Sequence, residues 1–350
     1  MKVLTQICEC SGGVVAILAA QSGQALWPFK SQIPGSNPGR STFCFMNIKL
    51  ILTLFQVFSG KELVLSRRHI EVNPLIEQFS DHLSRIEDAL VRELDLYLWS
   101  EFHAPLRYAC EGGKRIRPLI LVLSAECINS RKPGADAYLA ASAIELLHTE
   151  SIIHDDIIDE ENQRRGKASF HVKYGYNSSI LTADFVLGII LNIGSKLKDS
   201  RIVNELSNAA TRMSEGEMME IRLNKSPDIS EDDYIKVLGF KTASLFEASA
   251  KVGAIIGGGS EDQIRAMTSF GNLLGIAYQI HDDLIDWNNE NRLFNMLVRK
   301  NGRAQELVDQ MDKLYQAYAA KAKNELRKIP AENDVKRHLE HLTDLASVQF

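Results

Sequence analysis

Two apolar helical stretches of this chain close on the same acidic triplet, and that repetition limits what the chain can become. The first runs from Glu145 to Asp159 and ends in Asp155, Asp156 and Asp159; the second reads His281-Asp282-Asp283-Leu284-Ile285-Asp286. Residues four apart share a face of an α-helix, so Asp155 lies with Asp159 and Asp282 with Asp286. Like charges at that spacing cost about 0.2–0.5 kcal/mol per pair, and the negative end of the helix dipole adds to the cost. A divalent cation reverses both effects. Mg²⁺ suits the pattern because it takes few protein carboxylates and completes its octahedron with water and substrate phosphate oxygens. The triads hold no Cys and little His, which argues against tetrahedral zinc. One such triad is most simply a solvated acidic helix end; two, each behind a His on an apolar helix, point to bound metal.

Around these helices the composition is that of an ordinary globular protein. The chain has 350 residues, 45% hydrophobic and 24% charged, with a formal net charge of −5. That is ample for a core, and mild acidity gives no support for nucleic-acid binding. Five cysteines, Cys8, Cys10, Cys44, Cys110 and Cys127, form no CxxC pair, so no disulfide framework is indicated and a cytoplasmic, reduced protein is expected.

Residues 1–65 read as foreign to the rest of the chain and are expected to be disordered or a wrongly assigned extension, leaving 66–350 as a single domain. Gly12 to Ala20 is a short apolar run behind a single Lys2, the pattern of a secretory signal, but the acidic Cys8-Glu9-Cys10 segment precedes it. Met46 to Phe58 carries Lys49 and is too short to span a bilayer. Gln32-Ile-Pro-Gly-Ser-Asn-Pro-Gly-Arg40 is loop-like and resembles a transfer-RNA gene translated in frame. The expectation is a start codon placed too early, with the natural start at Met46 or later, and no stable membrane span.

From Asn73 onward helical signals dominate. Asn73 suits an N-cap with Pro74 at the first helical position, and Leu75, Ile76, Phe79, Leu83, Ile86, Leu90 and Leu94 come after it at spacings of three and four. After a Gly112-Gly113 turn, Pro118 opens an apolar helix through Cys127. Further helices are predicted at 136–160, 178–197, roughly 203–223, 231–257, 261–287 and 303–328, with a last one after Pro330. Loop material is expected at Asn162 to Gly166. No long β-alternating run competes, so the fold class is all-α with its two most apolar helices central, 136–160 being the central one.

Basic groups answer the acidic ones. Lys114, Arg115 and Arg117 lie between a Gly-Gly turn and a helix start, where backbone N–H groups and guanidinium forks make a diphosphate seat. Arg164, Arg165 and Lys167 come soon after the first triad, and His148 lies two turns before Asp155 on the same face. Lys241-Thr242 and Gln279 are polar groups on apolar helices. Singly, each basic cluster reads as solvated surface and a helical His as a satisfied core residue; together they describe a pocket for two diphosphates.

From about residue 70 onward the chain resembles the trans-isoprenyl diphosphate synthases, in particular those making geranylgeranyl diphosphate. The matching pieces are Gly112-Gly-Lys-Arg-Ile-Arg-Pro118, Glu145-Leu-Leu-His148, His154-Asp-Asp-Ile-Ile-Asp159 with Arg164-Arg-Gly166, Lys241-Thr-Ala-Ser-Leu245 and Gln279-Ile-His-Asp-Asp-Leu-Ile-Asp286. The resemblance implies a homodimeric bundle of mostly antiparallel helices around a central cavity, the isoprenoid synthase fold. It implies that Asp155 and Asp159 coordinate Mg²⁺ on an allylic diphosphate with Asp156 in support. Asp282 would bind a further Mg²⁺, three in all with substrate bound, helped by Asp283 and Asp286. Lys114, Arg117, His148 and Arg165 would hold isopentenyl diphosphate. Arg164, Lys241 and Gln279 would contact the allylic diphosphate, with Thr242 beside it. The implied reaction is head-to-tail condensation to an all-trans prenyl diphosphate, without a protein nucleophile.

Chain length should be set below the first triad, where positions four, five and eight before Asp155 lie about 6 to 12 Å down the helix. In the family an aromatic four or five residues before the triad often stops growth at farnesyl. Here those positions are Ser151 and Glu150, with Leu147 deeper, so a geranylgeranyl or longer product is expected. Glu150 is costly in a dry tunnel unless paired, and a neighbouring helix is the alternative it can face. After Asp286 the family's long loop with its Gly-Lys and Lys-x-Thr segments is missing, and Arg292, Arg299 or Lys300 are the candidates to replace its lysine. Two rivals share parts of the pattern. A non-catalytic subunit of a heteromeric synthase would lose site residues that are intact here, and a terpene cyclase carries a different second metal motif.

Overall fold

The structure, a computed structural model, describes residues 79–226, 229–285, 293–294, 297, 304–330 and 334–345, with two backbone strands nearer the start. Those strands, β1 (Leu4–Cys10) and β2 (Gly13–Ala19), pair antiparallel as a hairpin in a unit of their own, Met1–His69. The second unit, Ile70–Phe350, is the helical body.

Its described helices are α1 (Ser80–Asp95), α2 (His103–Cys110), α3 (Ile116–Asn129), α4 (Ala135–Ile158), α5 (Phe170–Tyr174) and α6 (Tyr176–Lys196). They continue as α7 (Ser200–Leu223), α8 (Glu231–Lys241), α9 (Ala243–Ile256), α10 (Glu261–Ile285), α11 (Ala304–Arg327) and α12 (Asp334–Leu345). The all-α expectation holds. Asn73 and Pro74 lie outside the described residues, and α1 is described from Ser80. Helix α2 and the single-turn α5 have no clear periodic signal in the sequence.

Helices α4 and α9 are the enclosed ones. Ala137 to Leu147 of α4 is buried on every side except at Leu139, and α9 is packed by α3, α4, α7 and α10. Burying a side chain such as Ile144 or Phe246 contributes about 1.5–3 kcal/mol. Close backbone approach makes this possible. A Cβ at Gly253 would collide with the Leu121 carbonyl, and one at Gly271 with the Phe246 carbonyl.

The helix predicted over 231–257 is two helices. The backbone turns at Thr242 (φ −104°, ψ −52°). Carbonyls near the break find side chains: Arg212 donates to Gly239 O (3.2 Å) and Ser244 to Phe240 O (2.6 Å). The break leaves Lys241 at the end of α8 and brings its backbone against Gly216 of α7, where a Cβ would collide with Lys241 N.

Helix α6 is the one described helix long and apolar enough to cross a bilayer. One face of it, including Val186, Ile189, Ile190 and Ile193, belongs instead to the core against α4. Its other face leaves Ile180, Leu187 and Leu191 exposed.

Candidate active site

A cavity of about 830 Å³ opens between the Gly-Gly turn, α4 and α10, lined among others by Lys114, Arg117, His148, Arg165, Lys167 and Asp282. The turn is built from left-handed backbone: Gly112 (φ 76°), Gly113 (φ 101°) and Arg115 (φ 51°). A side chain at Gly113 would strike the Arg165 guanidinium, whose Nη1 is 2.7 Å from the Cβ position and donates to Gly112 O at 3.1 Å.

Arg165 reaches this place through a hairpin where the sequence predicts loop. Residues Gln163–Arg164 (β3) and Lys167–Ala168 (β4) pair antiparallel over two residues each. The two turn residues, Arg165 (φ 54°) and Gly166 (φ 72°), are both left-handed, as a type I′ turn requires.

Arg117 is a half-buried cation of the seat. Its guanidinium lies over the Phe246 ring (4.6 Å) and donates to His148 Nε2 at 3.2 Å, while its buried Nε has no partner. Burial first, and the positive charge of Arg117 second, hold His148 well below the ordinary histidine range, so it accepts as a neutral imidazole. An unpaired buried donor beside a neutral His is what an anionic ligand would satisfy.

The first triad divides by direction. Asp156 is 2% exposed and is gripped by Arg164, whose Nε donates at 2.7 Å. Asp155 and Asp159 face Lys241 together with two residues that no sequence motif marked, Glu217 and Glu220 of α7. Lys241 Nζ lies 2.5 Å from Glu217 and 2.7 Å from Glu220. Burial works against the Lys241 charge, but Asp155, Glu220 and Glu217 outweigh it and push its pKa up. Burial raises Asp155 and Asp159, with Lys241 opposing in both cases. Glu217 and Glu220 are three apart on one face of α7, but no spacing in the sequence ties them to Lys241.

The second triad repeats the division. Asp283, 6% exposed, accepts from Tyr234 (2.7 Å) and Gln279 (2.9 Å), and Thr242 in turn donates to Gln279 Oε1 (3.1 Å). Asp282 lines the cavity beside Tyr278, another residue outside the motifs. The hydrogen bonds Thr242–Gln279–Asp283 join the break between α8 and α9, where Lys241 ends α8, to the second triad. Asp286, Arg292, Arg299 and Lys300 lie outside the described residues.

Four carboxylates around one ammonium leave excess negative charge, and all the donors are hard oxygens, which fits Mg²⁺. Among the described residues no three His, Cys, Asp or Glu side chains converge as a ready-made cage.

Residues 100–296 match the family model described as polyprenyl synthetase. The chain belongs to the polyprenyl synthetase family. An octaprenyl diphosphate synthase of Escherichia coli is 36% identical over 177 residues, 51% of this chain and 54% of that protein. A geranylgeranyl diphosphate synthase of Methanosarcina mazei is 32% identical over 218 residues, 61% of this chain and 67% of that protein. The chain spans about half the length of the octaprenyl relatives it matches. The solved geranylgeranyl pyrophosphate synthetase from Pyrococcus horikoshii Ot3 superposes with TM-score 0.70 at 25% identity, covering 79% of this chain and 99% of that one.

Leu147 is buried in the core, and Ser151 is half-buried with its hydroxyl donating to His148 O at 2.9 Å. Burial, then the charge of Asp184 on α6, pushes the Glu150 carboxyl up to about 7.

Proposed function

We propose that this protein is a Mg²⁺-dependent prenyltransferase that condenses isopentenyl diphosphate with an allylic diphosphate to give an all-trans prenyl diphosphate, geranylgeranyl or longer. The observation that carries it is the cavity in which Lys114, Arg117 and Arg165 gather around neutral His148 opposite Asp282. Names of the relatives, octaprenyl and geranylgeranyl diphosphate synthases, agree with it.

Asp155, Asp159 and Asp282 would hold Mg²⁺, with Glu217 and Glu220 beside them. When bound, Mg²⁺ supplies electrostatic stabilisation of charge developing on the leaving diphosphate. Asp156 and Asp283 act at one remove: Asp156 holds Arg164, and Asp283 fixes Gln279 and through it Thr242. Arg164 and Lys241 are the protein's own cations for the allylic diphosphate. Lys114, Arg117 and Arg165 orient isopentenyl diphosphate, and His148, kept neutral, steadies Arg117. The allylic C–O bond breaks with its electron pair leaving on the diphosphate. The isopentenyl double bond attacks the allylic cation, and the proton released passes to the departed diphosphate. Groups already in place do this without reorganisation.

Purified protein with Mg²⁺, labelled isopentenyl diphosphate and allylic diphosphates of graded length should yield elongated products. No turnover would favour a non-catalytic subunit, and release of a cyclised hydrocarbon a terpene cyclase. The exposed apolar stripe Ile180, Leu187 and Leu191 on α6 supports a homodimer through that face. Sedimentation velocity giving the mass of a single chain would overturn that assignment.

A further inference from the structure

Arg115, between the two cavity-facing cations Lys114 and Arg117, is only 6% exposed and turned inward. Its guanidinium donates to Glu145 of α4 at 2.5 Å, to the Cys110 carbonyl at 2.6 Å, and through Nε and Nη2 to both oxygens of Glu87 on α1. Burial opposes the charge on Arg115, but Glu145 and Glu87 together raise its pKa, so the group stays ionised. The same residue sits in left-handed backbone, φ 51°, a conformation a side-chain-bearing residue adopts only when its surroundings over-determine it. Arg115 forms part of the wall between the main cavity and a second one of about 530 Å³ behind it, and Glu87 lines only the second.

We propose that Glu87, acting through Arg115, is a positioning residue for the isopentenyl diphosphate seat. Two carboxylates from different helices and one carbonyl take four of the five N–H donors of the planar guanidinium fork, which fixes the twist of the 112–115 turn and the start of α3. That twist sends Lys114 and Arg117 toward the cavity on either side of an inward Arg115. Glu87 does not line the main cavity, so its effect must pass through the loop. This proposal rests on the reading of that cavity as the isopentenyl diphosphate site.

The test is Glu87→Gln, which sits at the half-exposed end of the clamp and so spares the buried Arg115–Glu145 pair, alongside Arg115→Lys. A lysine keeps the charge but cannot bridge both carboxylates in a planar fork. Expected is a rise of about tenfold in KM and in calorimetric Kd for isopentenyl diphosphate in Glu87→Gln, and no rescue in Arg115→Lys. KM for the allylic diphosphate and kcat should stay within about twofold, a split typical of lost ground-state positioning. Unchanged affinity for isopentenyl diphosphate in Glu87→Gln overturns the proposal, as does a parallel rise of both KM values with a falling melting temperature. Wild-type protein that binds no isopentenyl diphosphate overturns the reading of the seat itself, which separates the two failures.

Discussion

Asp155→Ala is expected to cut turnover about a thousandfold while leaving the folded chain at least as stable as the parent at neutral pH. The loss in rate comes from removing a cation ligand where charge develops, an effect comparable to deleting an oxyanion donor at about 10²–10³-fold. The stability comes from the surroundings of Asp155. Burial raises its pKa, Lys241 opposes, and Asp159 adds to the rise. A carboxyl whose folded pKa is raised binds its proton more tightly in the folded state. Ionising it therefore costs stability as pH climbs from the ordinary aspartate range through the raised value. Alanine removes that cost, so the variant's relative gain should appear at pH 8 and vanish below about pH 4. Metal-free thermal melts at several pH values, beside kcat at saturating Mg²⁺, check both halves. Turnover within tenfold of the parent would end the metal-holding role of Asp155.

Ser151→Phe is expected to shorten the product by one or more five-carbon units. Ser151 lies one turn before Asp155 on α4, half-buried, and its small hydroxyl is spent on the His148 carbonyl. A phenyl ring there would fill space directly below the first triad. Leu147, one turn deeper, is already locked in the core. Chromatography of dephosphorylated products reads the outcome, and an unchanged product length would remove Ser151 from the wall.

Much of the site was legible because its chemistry is carried by short-range spacing. Asp155 with Asp159, the Gly112-Gly113 turn before Lys114 and Arg117, and His148 two turns before Asp155 are all helix or turn arithmetic. Pairings across helices were not legible. Nothing near Glu87, Glu217 or Glu220 in the sequence says that each meets a cation many residues away. The single helix expected over 231–257 failed for a related reason. Its periodicity runs straight through Thr242, and the break is stabilised by Arg212 from another helix together with Ser244.

The sequence by itself determined the helical class and the inventory of acids and bases, because these depend on apolar periodicity and on residue type. Only the tertiary structure decided direction. Within each triad it turned Asp156 and Asp283 inward to fixed donors, while Asp155 and Asp282 face, respectively, Lys241 and the cationic cavity. In the basic loop it turned Arg115 away from its neighbours. Adjacent residues on a helix point about 100° apart, and which of them meets a buried partner is settled by the helices packed around them.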